Sequence, residues 1–221
     1  LFIFPAAPET HCEACYIVAG DQNLANSWGY RRCSMSWNGF AWSFSTPGGD
    51  PLVEGPALAA WGGASSAVDV AAGDGRVLLA VQTTDLGGGT WHYEYALLNM
   101  NSDRQIRSFS LPVLGVPNIA NIGFHDNDSD PANDWQVSAD GDSITWQTGT
   151  FAQDPNAHAL VFGYQYNFRF DADAAPGPLN TALGLFKPGV GSRVDVGSTG
   201  PANAVTAVGD LAAPAAQVID I

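Results

Sequence analysis

In the segment GFHDNDSDPANDW (residues 123–135), Asp126, Asp128 and Asp130 occupy alternate positions and Asp134 follows. That spacing matches the first half of a calcium loop, with Asp134 at the ninth place, and hard carboxylate oxygens are what Ca²⁺ takes. Pro131 stands where an EF-hand needs glycine, and Val137 where it needs a bidentate glutamate, so an EF-hand proper is excluded. Two readings remain. One is a calcium loop of another kind, held by Asp126, Asp128, Asp130 and Asp134; the other is a solvated acidic loop whose Asp and Asn side chains cap their own turns. Carboxylates this close repel, and the nearest cations upstream in sequence are Arg104 and Arg107.

Other residues offer different chemistry. His92, His125 and His158 would bind a transition metal if their strands were neighbours. Asp171 and Asp173 share one face of a strand end, a carboxylate pair of the kind that performs acid–base work on glycosides. Cys12 and Cys15 have CxxC spacing, and with His11 and a distant histidine they suggest a zinc or copper site. HCEACYIVAG reads as strand, however, and residues i and i+3 of a strand point to opposite faces, so Cys12 and Cys15 do not bond each other. Folding residues 13–18 onto 30–35 around a loop centred near Leu24 sets Cys15 opposite Cys33, which predicts a Cys15–Cys33 disulfide in an oxidising compartment. Among the seven tryptophans, Trp28 and Trp135 sit in polar loop sequence and are expected to be exposed, as ligand-stacking residues for carbohydrate. No GxSxG, HExxH or P-loop motif is present.

The elements that must carry these residues are strands. Trp91, Tyr93, Tyr95 and Leu97 alternate with His92, Glu94, Ala96 and Leu98, a period of two that a strand uses and a helix cannot. Tyr93, Tyr95 and Leu97 are thus predicted to face a core. A polar corner over residues 99–104 follows, then a second alternating run to Pro112. This predicts a hairpin or a sheet-to-sheet corner. Asn38-Gly39 between Trp37 and Trp42 is a hairpin signal. Further strands are expected over residues 76–84, 119–125, 143–148, 159–170 and 181–187, with a last one at 192–196 and a short helix around 57–61. Short strands with Gly- and Pro-rich punctuation predict an all-β fold, an antiparallel β-sandwich of jelly-roll or Ig-like type. The expected organisation is one domain over residues 1–190 and a peripheral strand or linker tail over 191–221.

Composition narrows the function classes. The 221 residues carry a formal charge of −14, from 8 basic and 22 acidic side chains. Such a surface repels phosphate backbones and anionic membranes, which argues against nucleic-acid binding. No run of 18 apolar residues exists, so membrane insertion by a helix is not expected. The opening LFIFPAAPETH lacks the basic n-region of a signal peptide. It reads as a first strand, Leu1 to Phe4, of a chain processed from a longer precursor.

The run YEYALLNMNSDR with SFSLPV, the phrase NIGFHDND, the stretch ALVFGYQYNFRFDADAAP and the earlier CYIVAGDQNLANSWGYRRC together resemble a group of uncharacterised secreted bacterial proteins, many of them planctomycete. The resemblance spans roughly residues 12–176 and departs from the group's pattern at Gly163 to Tyr166. It implies secretion and a place toward the C-terminus of a longer chain, and carries no activity with it.

Two function classes follow. The first is a secreted or cell-surface β-sandwich module for adhesion, assembly or ligand binding, stabilised by calcium. Its partners would be another extracellular protein, a carbohydrate or the upstream part of its own precursor. The second is a secreted hydrolase or metalloenzyme whose His/Asp site is completed by upstream sequence.

Overall fold

The alternation that marks residues 91–98 recurs along most of the chain, and in the computed structural model it resolves into strands that are all antiparallel. The structure describes residues 10–16, 24–46, 48–71, 74–128 and 130–202. The expected first strand at Leu1–Phe4 and the tail beyond Gly209 lie outside the described residues. The chain packs as two compact units, one ending at Gly62 and the other beginning at Gly63.

The first unit holds β1 (Thr10–Cys15), a 3₁₀ turn at Leu24–Ser27, β2 (Trp28–Trp37), β3 (Trp42–Ser45), β4 (Val53–Glu54) and a second 3₁₀ turn at Ala57–Ala60. β1 and β3 flank β2, and β4 also pairs with β2. The Asn38-Gly39 hairpin is present. Asn38 Oδ1 accepts the N–H groups of Phe40 and Ala41, and Gly39 supplies the φ of +100° that the turn needs. The register of β1 on β2 overturns the expected disulfide: Thr10 faces Cys33 and Cys15 faces Trp28. The pairing is displaced from the loop centre the sequence suggested, and Cys12, Cys15 and Cys33 are all free thiols.

The second unit is a sandwich of two five-stranded sheets. Its strands are β5 (Ala64–Ala71), β6 (Gly75–Gly87), β7 (Thr90–Asn99), β8 (Ile106–Pro112), β9 (Ala120–His125), β10 (Gln136–Ala139), β11 (Ser143–Gln147), β12 (Gln165–Ala172), β13 (Pro176–Leu185) and β14 (Arg193–Pro201). One sheet has the order β5-β6-β7-β12-β9 and the other β10-β11-β8-β13-β14. The corner at 99–105 is therefore a crossing from sheet to sheet. The buried Asn99 side-chain amide holds it, donating to the carbonyls of Ser102 and Leu160 and accepting the Ser102 N–H. The last strand carries the sandwich to Pro201, past residue 190.

Tyr93, Tyr95 and Leu97 are fully buried, as their period predicted. They meet Phe109, Leu111, Trp146, Phe168 and Phe170 between the sheets, with Phe109 and Phe168 ring centres 4.7 Å apart. β8 does not keep a strict alternation, because Ile106 and Phe109 are both buried. The ladder with β13 steps from Ser108–Gly184 to Ile106–Leu185, leaving Arg107 as an extra residue. A bulge of this kind reverses which face the next side chain takes.

Candidate metal centre

β9 ends at His125, and the chain turns out of the sheet through the acidic loop before entering β10 at Gln136. The turns are built as the sequence suggests for Asp-rich loops. Asp126 Oδ1 accepts the Asp128 N–H at 2.9 Å, Asp128 Oδ1 accepts the Asp130 N–H at 2.7 Å, and Asp130 Oδ1 accepts the Ala132 N–H at 3.0 Å. One oxygen of each carboxylate is spent on the backbone. What differs is the second oxygen. That of Asp128 accepts from the Asn133 side-chain amide, whereas Asp126 Oδ2 is buried and has no hydrogen bond.

The residue that meets Asp126 comes from the long β11–β12 connection. His158 Nε2 lies 3.1 Å from Asp126 Oδ2 and 4.0 Å from Asp128 Oδ2. Both atoms of the close contact are buried, and neither has a hydrogen bond. The imidazole is held by its surroundings. Its ring stacks on Tyr166 at 5.6 Å with an 8° interplanar angle, and its backbone carbonyl accepts the Trp135 indole N–H at 2.6 Å. Trp135 in turn stacks on Phe124 of β9 and meets Tyr166 edge-on. Aromatic packing against the sandwich thus positions the histidine over the loop.

Asp126, Asp128 and His158 are the group of metal-ligating side chains that converges among the described residues, with one ligand atom from each within 4.8 Å of the others. Among the described residues, the buried side-chain polar atoms without a hydrogen bond are Asp126 Oδ2, His158 Nε2, Asn133 Oδ1 and the Tyr166 hydroxyl. All four belong to this constellation. Buried polar groups in native proteins are otherwise nearly always paired.

The electrostatics follow the same geometry. The Asp130 N–H, and next the Asn133 amide, hold the Asp128 carboxyl below its ordinary value. Desolvation, and then the charges of Asp126 and Asp128, push Asp134 up. Burial, followed by the same two charges, drives the Tyr166 hydroxyl well above its ordinary value. Asn133, Asp134 and His158 border an open cleft of about 860 Å³ that Gln147, Thr148 and Gln153 also line.

Several expected site residues fall elsewhere. Asp130 is exposed and caps a turn; the third side chain that converges with Asp126 and Asp128 is His158. The three histidines do not converge. His92 pairs in register with Asp171 of β12 and His125 with Asn167 from the other side of that strand, and the two register positions are about 13 Å apart along β12. Asp171 and Asp173 do lie near each other, but every carboxylate oxygen is occupied. Asp171 accepts from His92 and Asn121, and Asp173 from Thr90 and Asn118. Those donors, Thr90 first, keep Asp173 below its ordinary value, which suits a fixed anion and not an acid catalyst. Trp28 and Trp135 are 5% and 2% exposed, so neither offers a ring to solvent. Their polar neighbours in sequence misled because each ring turns into its own unit's interior. The exposed rings among the described residues include Trp37, Phe40, Trp42 and Phe44 of the β2–β3 hairpin, besides Tyr16 and Tyr164.

His158 has no spacing relation to the acidic loop. In a chain with four histidines, its presence in a loop of otherwise small and polar residues was the available signal. No protein-family model matches the chain, and no curated protein matches it.

Proposed function

We propose that the chain is a secreted or cell-surface β-sandwich module that binds its ligand, an extracellular protein or carbohydrate, beside a divalent cation held by Asp126, Asp128 and His158. One observation carries the reading: the four buried polar atoms without partners gather in one place. A cation would satisfy Asp126 Oδ2 and His158 Nε2 directly. Water in its coordination sphere would reach Asn133 and the Tyr166 hydroxyl. The net charge of −14 favours cation uptake on the same grounds.

The donor set refines which ion. Calcium prefers an all-oxygen shell of six to eight ligands. Two carboxylates and an imidazole suit zinc or manganese better. A second reading, a metal-dependent hydrolase, draws support from the open cleft on the His158 and Asp134 side. Three protein ligands with an open position is the pattern of catalytic metal sites. Asp134, whose carboxyl is pushed up, is then the proton-transfer residue.

The test is a calorimetric titration of the metal-stripped chain with Ca²⁺, Mn²⁺ and Zn²⁺, repeated on Asp126→Asn and His158→Ala. One ion bound per chain, lost in both variants, is the expected result. Absence of binding by all three ions would reject the reading. Hydrolysis of a glycoside or ester panel that follows metal loading and is lost in Asp134→Asn would select the enzyme over the binding module.

A further inference from the structure

We propose that Cys12 and Cys33 form a dithiol site that a low-molecular-weight disulfide oxidises to an intramolecular bridge, leaving Cys15 outside it. The argument stands on the first unit alone. In the β1–β2 ladder Cys12 is opposite Arg31 and Thr10 is opposite Cys33. Residues directly opposite, and residues two apart on one strand, share a face of the sheet. Cys12 and Cys33 therefore project from the same face, one diagonal step apart. Cys15, three residues beyond Cys12, projects from the other face opposite Trp28. The register thus removes Cys15 from any pairing with either partner.

The two thiols are already in contact. The Cys33 thiol shares a hydrogen bond with Cys12, and that bond, with desolvation next, pushes it up to about 11. A diagonal pair in a flat ladder has Cα atoms 7–8 Å apart, and a disulfide needs them within about 7 Å. β1 is the outer strand of its sheet, so a small inward shift of this strand closes the gap without breaking a strand pairing on its other side.

Exposure sets the order of events. Cys33 is buried and Cys12 half-buried, so the Cys12 thiolate attacks a small disulfide RSSR first. This forms a Cys12–SR mixed disulfide and expels RS⁻, which takes up a proton. Cys12 no longer carries the proton or charge that held Cys33 up, and Cys33 loses its proton more readily. The Cys33 thiolate then attacks the Cys12 sulfur, forming the Cys12–Cys33 bond and releasing a second RSH. The two cysteines are oxidised by two electrons, and one RSSR is reduced to two RSH.

The experiment equilibrates the full chain with oxidised and reduced glutathione over a series of ratios, quenches with an alkylating reagent and maps the digested peptides by mass. The expected product is a single cross-link between the Cys12 and Cys33 peptides, two hydrogens lighter than the reduced pair, with the exposed Cys15 outside it, either alkylated or as its own mixed disulfide with glutathione. Cys15→Ser should give the same cross-link, while Cys12→Ser and Cys33→Ser should give none. A cross-link containing Cys15 overturns the proposal, as does alkylation of both Cys12 and Cys33 in the most oxidising mixture. Reading the wild type and Cys15→Ser together keeps the outcome decisive even if a Cys33 variant fails to fold.

Discussion

Two clusters on the sandwich use nearly the same residues to opposite ends. Around Asp171, the two carboxylates of Asp171 and Asp173 meet His92, Asn118, Asn121 and Thr90, and each carboxylate oxygen has its donor. Around Asp126, two carboxylates meet His158, Asn133 and Tyr166, and four polar atoms remain without partners. Residue type does not separate the two; the state of their hydrogen bonds does. A saturated network ties strands together and has nothing left to offer a ligand. An unsaturated one costs free energy in isolation and recovers it when a ligand arrives. Asn118 and Asn121 reach Asp173 and Asp171 from backbone with φ of +52°, so the chain accepts local strain to complete the saturated network.

This contrast can be broken experimentally. The largest effect expected is on metal addition. At a free ion concentration a hundred times Kd, the wild type should gain roughly 2.7 kcal/mol of stability, seen as a rise in thermal midpoint that EDTA reverses. His158→Ala should abolish that gain.

Asp171→Ala comes next. It strands His92 and Asn121, and should cost roughly 1–3 kcal/mol in urea unfolding, equally with metal or EDTA present. A metal-dependent loss would show that the two clusters are not independent. Asp126→Asn, measured in EDTA, should have the opposite character. It removes a buried charge while its remaining oxygen still accepts the Asp128 N–H, so stability should match or exceed the wild type. A loss above about 1 kcal/mol would place Asp126 with the saturated network.

Asp130→Ala should be smaller, about 0.5–1 kcal/mol for the lost cap on Ala132, with metal affinity unchanged in calorimetry. The smallest effect concerns pH. The hydrogen bond that His92 donates to Glu94 chiefly, and the one to Asp171 with it, raise His92 above its ordinary value of 6.5. The imidazolium form therefore favours the folded state. Its contribution is full below about pH 6.5 and fades as pH rises through the folded value. His92→Gln should flatten that decline in a series of urea midpoints just above pH 6.5.

Much of the sandwich was legible in the sequence because its strands bury one face. The period of two placed Tyr93, Tyr95 and Leu97 correctly. It failed at Ile106, where the bulge at Arg107 changes the phase, and bulges leave no mark in an alternation pattern. β5 is absent from the strands that the sequence predicts, since its small residues Ala64, Ser65, Ser66 and Ala67 carry little hydrophobic contrast. The acidic loop was half legible. Alternating aspartates exposed Asp126 and Asp128, but the same spacing applies to Asp130, and only the path of the chain decides which carboxylates turn inward. His158 enters from a loop about thirty residues downstream, set by packing on Tyr166 and Trp135 that no local spacing encodes. The disulfide failed for a related reason: a register inferred from one assumed loop centre slips as soon as the loop is longer on one side.

The Trp135 indole has an optical consequence. It is enclosed by Phe124 and Tyr166 and bonded to the carbonyl of the histidine that faces Asp126. Trp37 and Trp42, by contrast, are more than half exposed. Emission from the first is blue-shifted and shielded from acrylamide, while emission from the other two is red-shifted and readily quenched. A paramagnetic ion such as Mn²⁺ seated beside His158 would dim the emission of Trp135. The protein therefore carries an intrinsic lamp next to its acidic loop, and its dimming reads occupancy without any label.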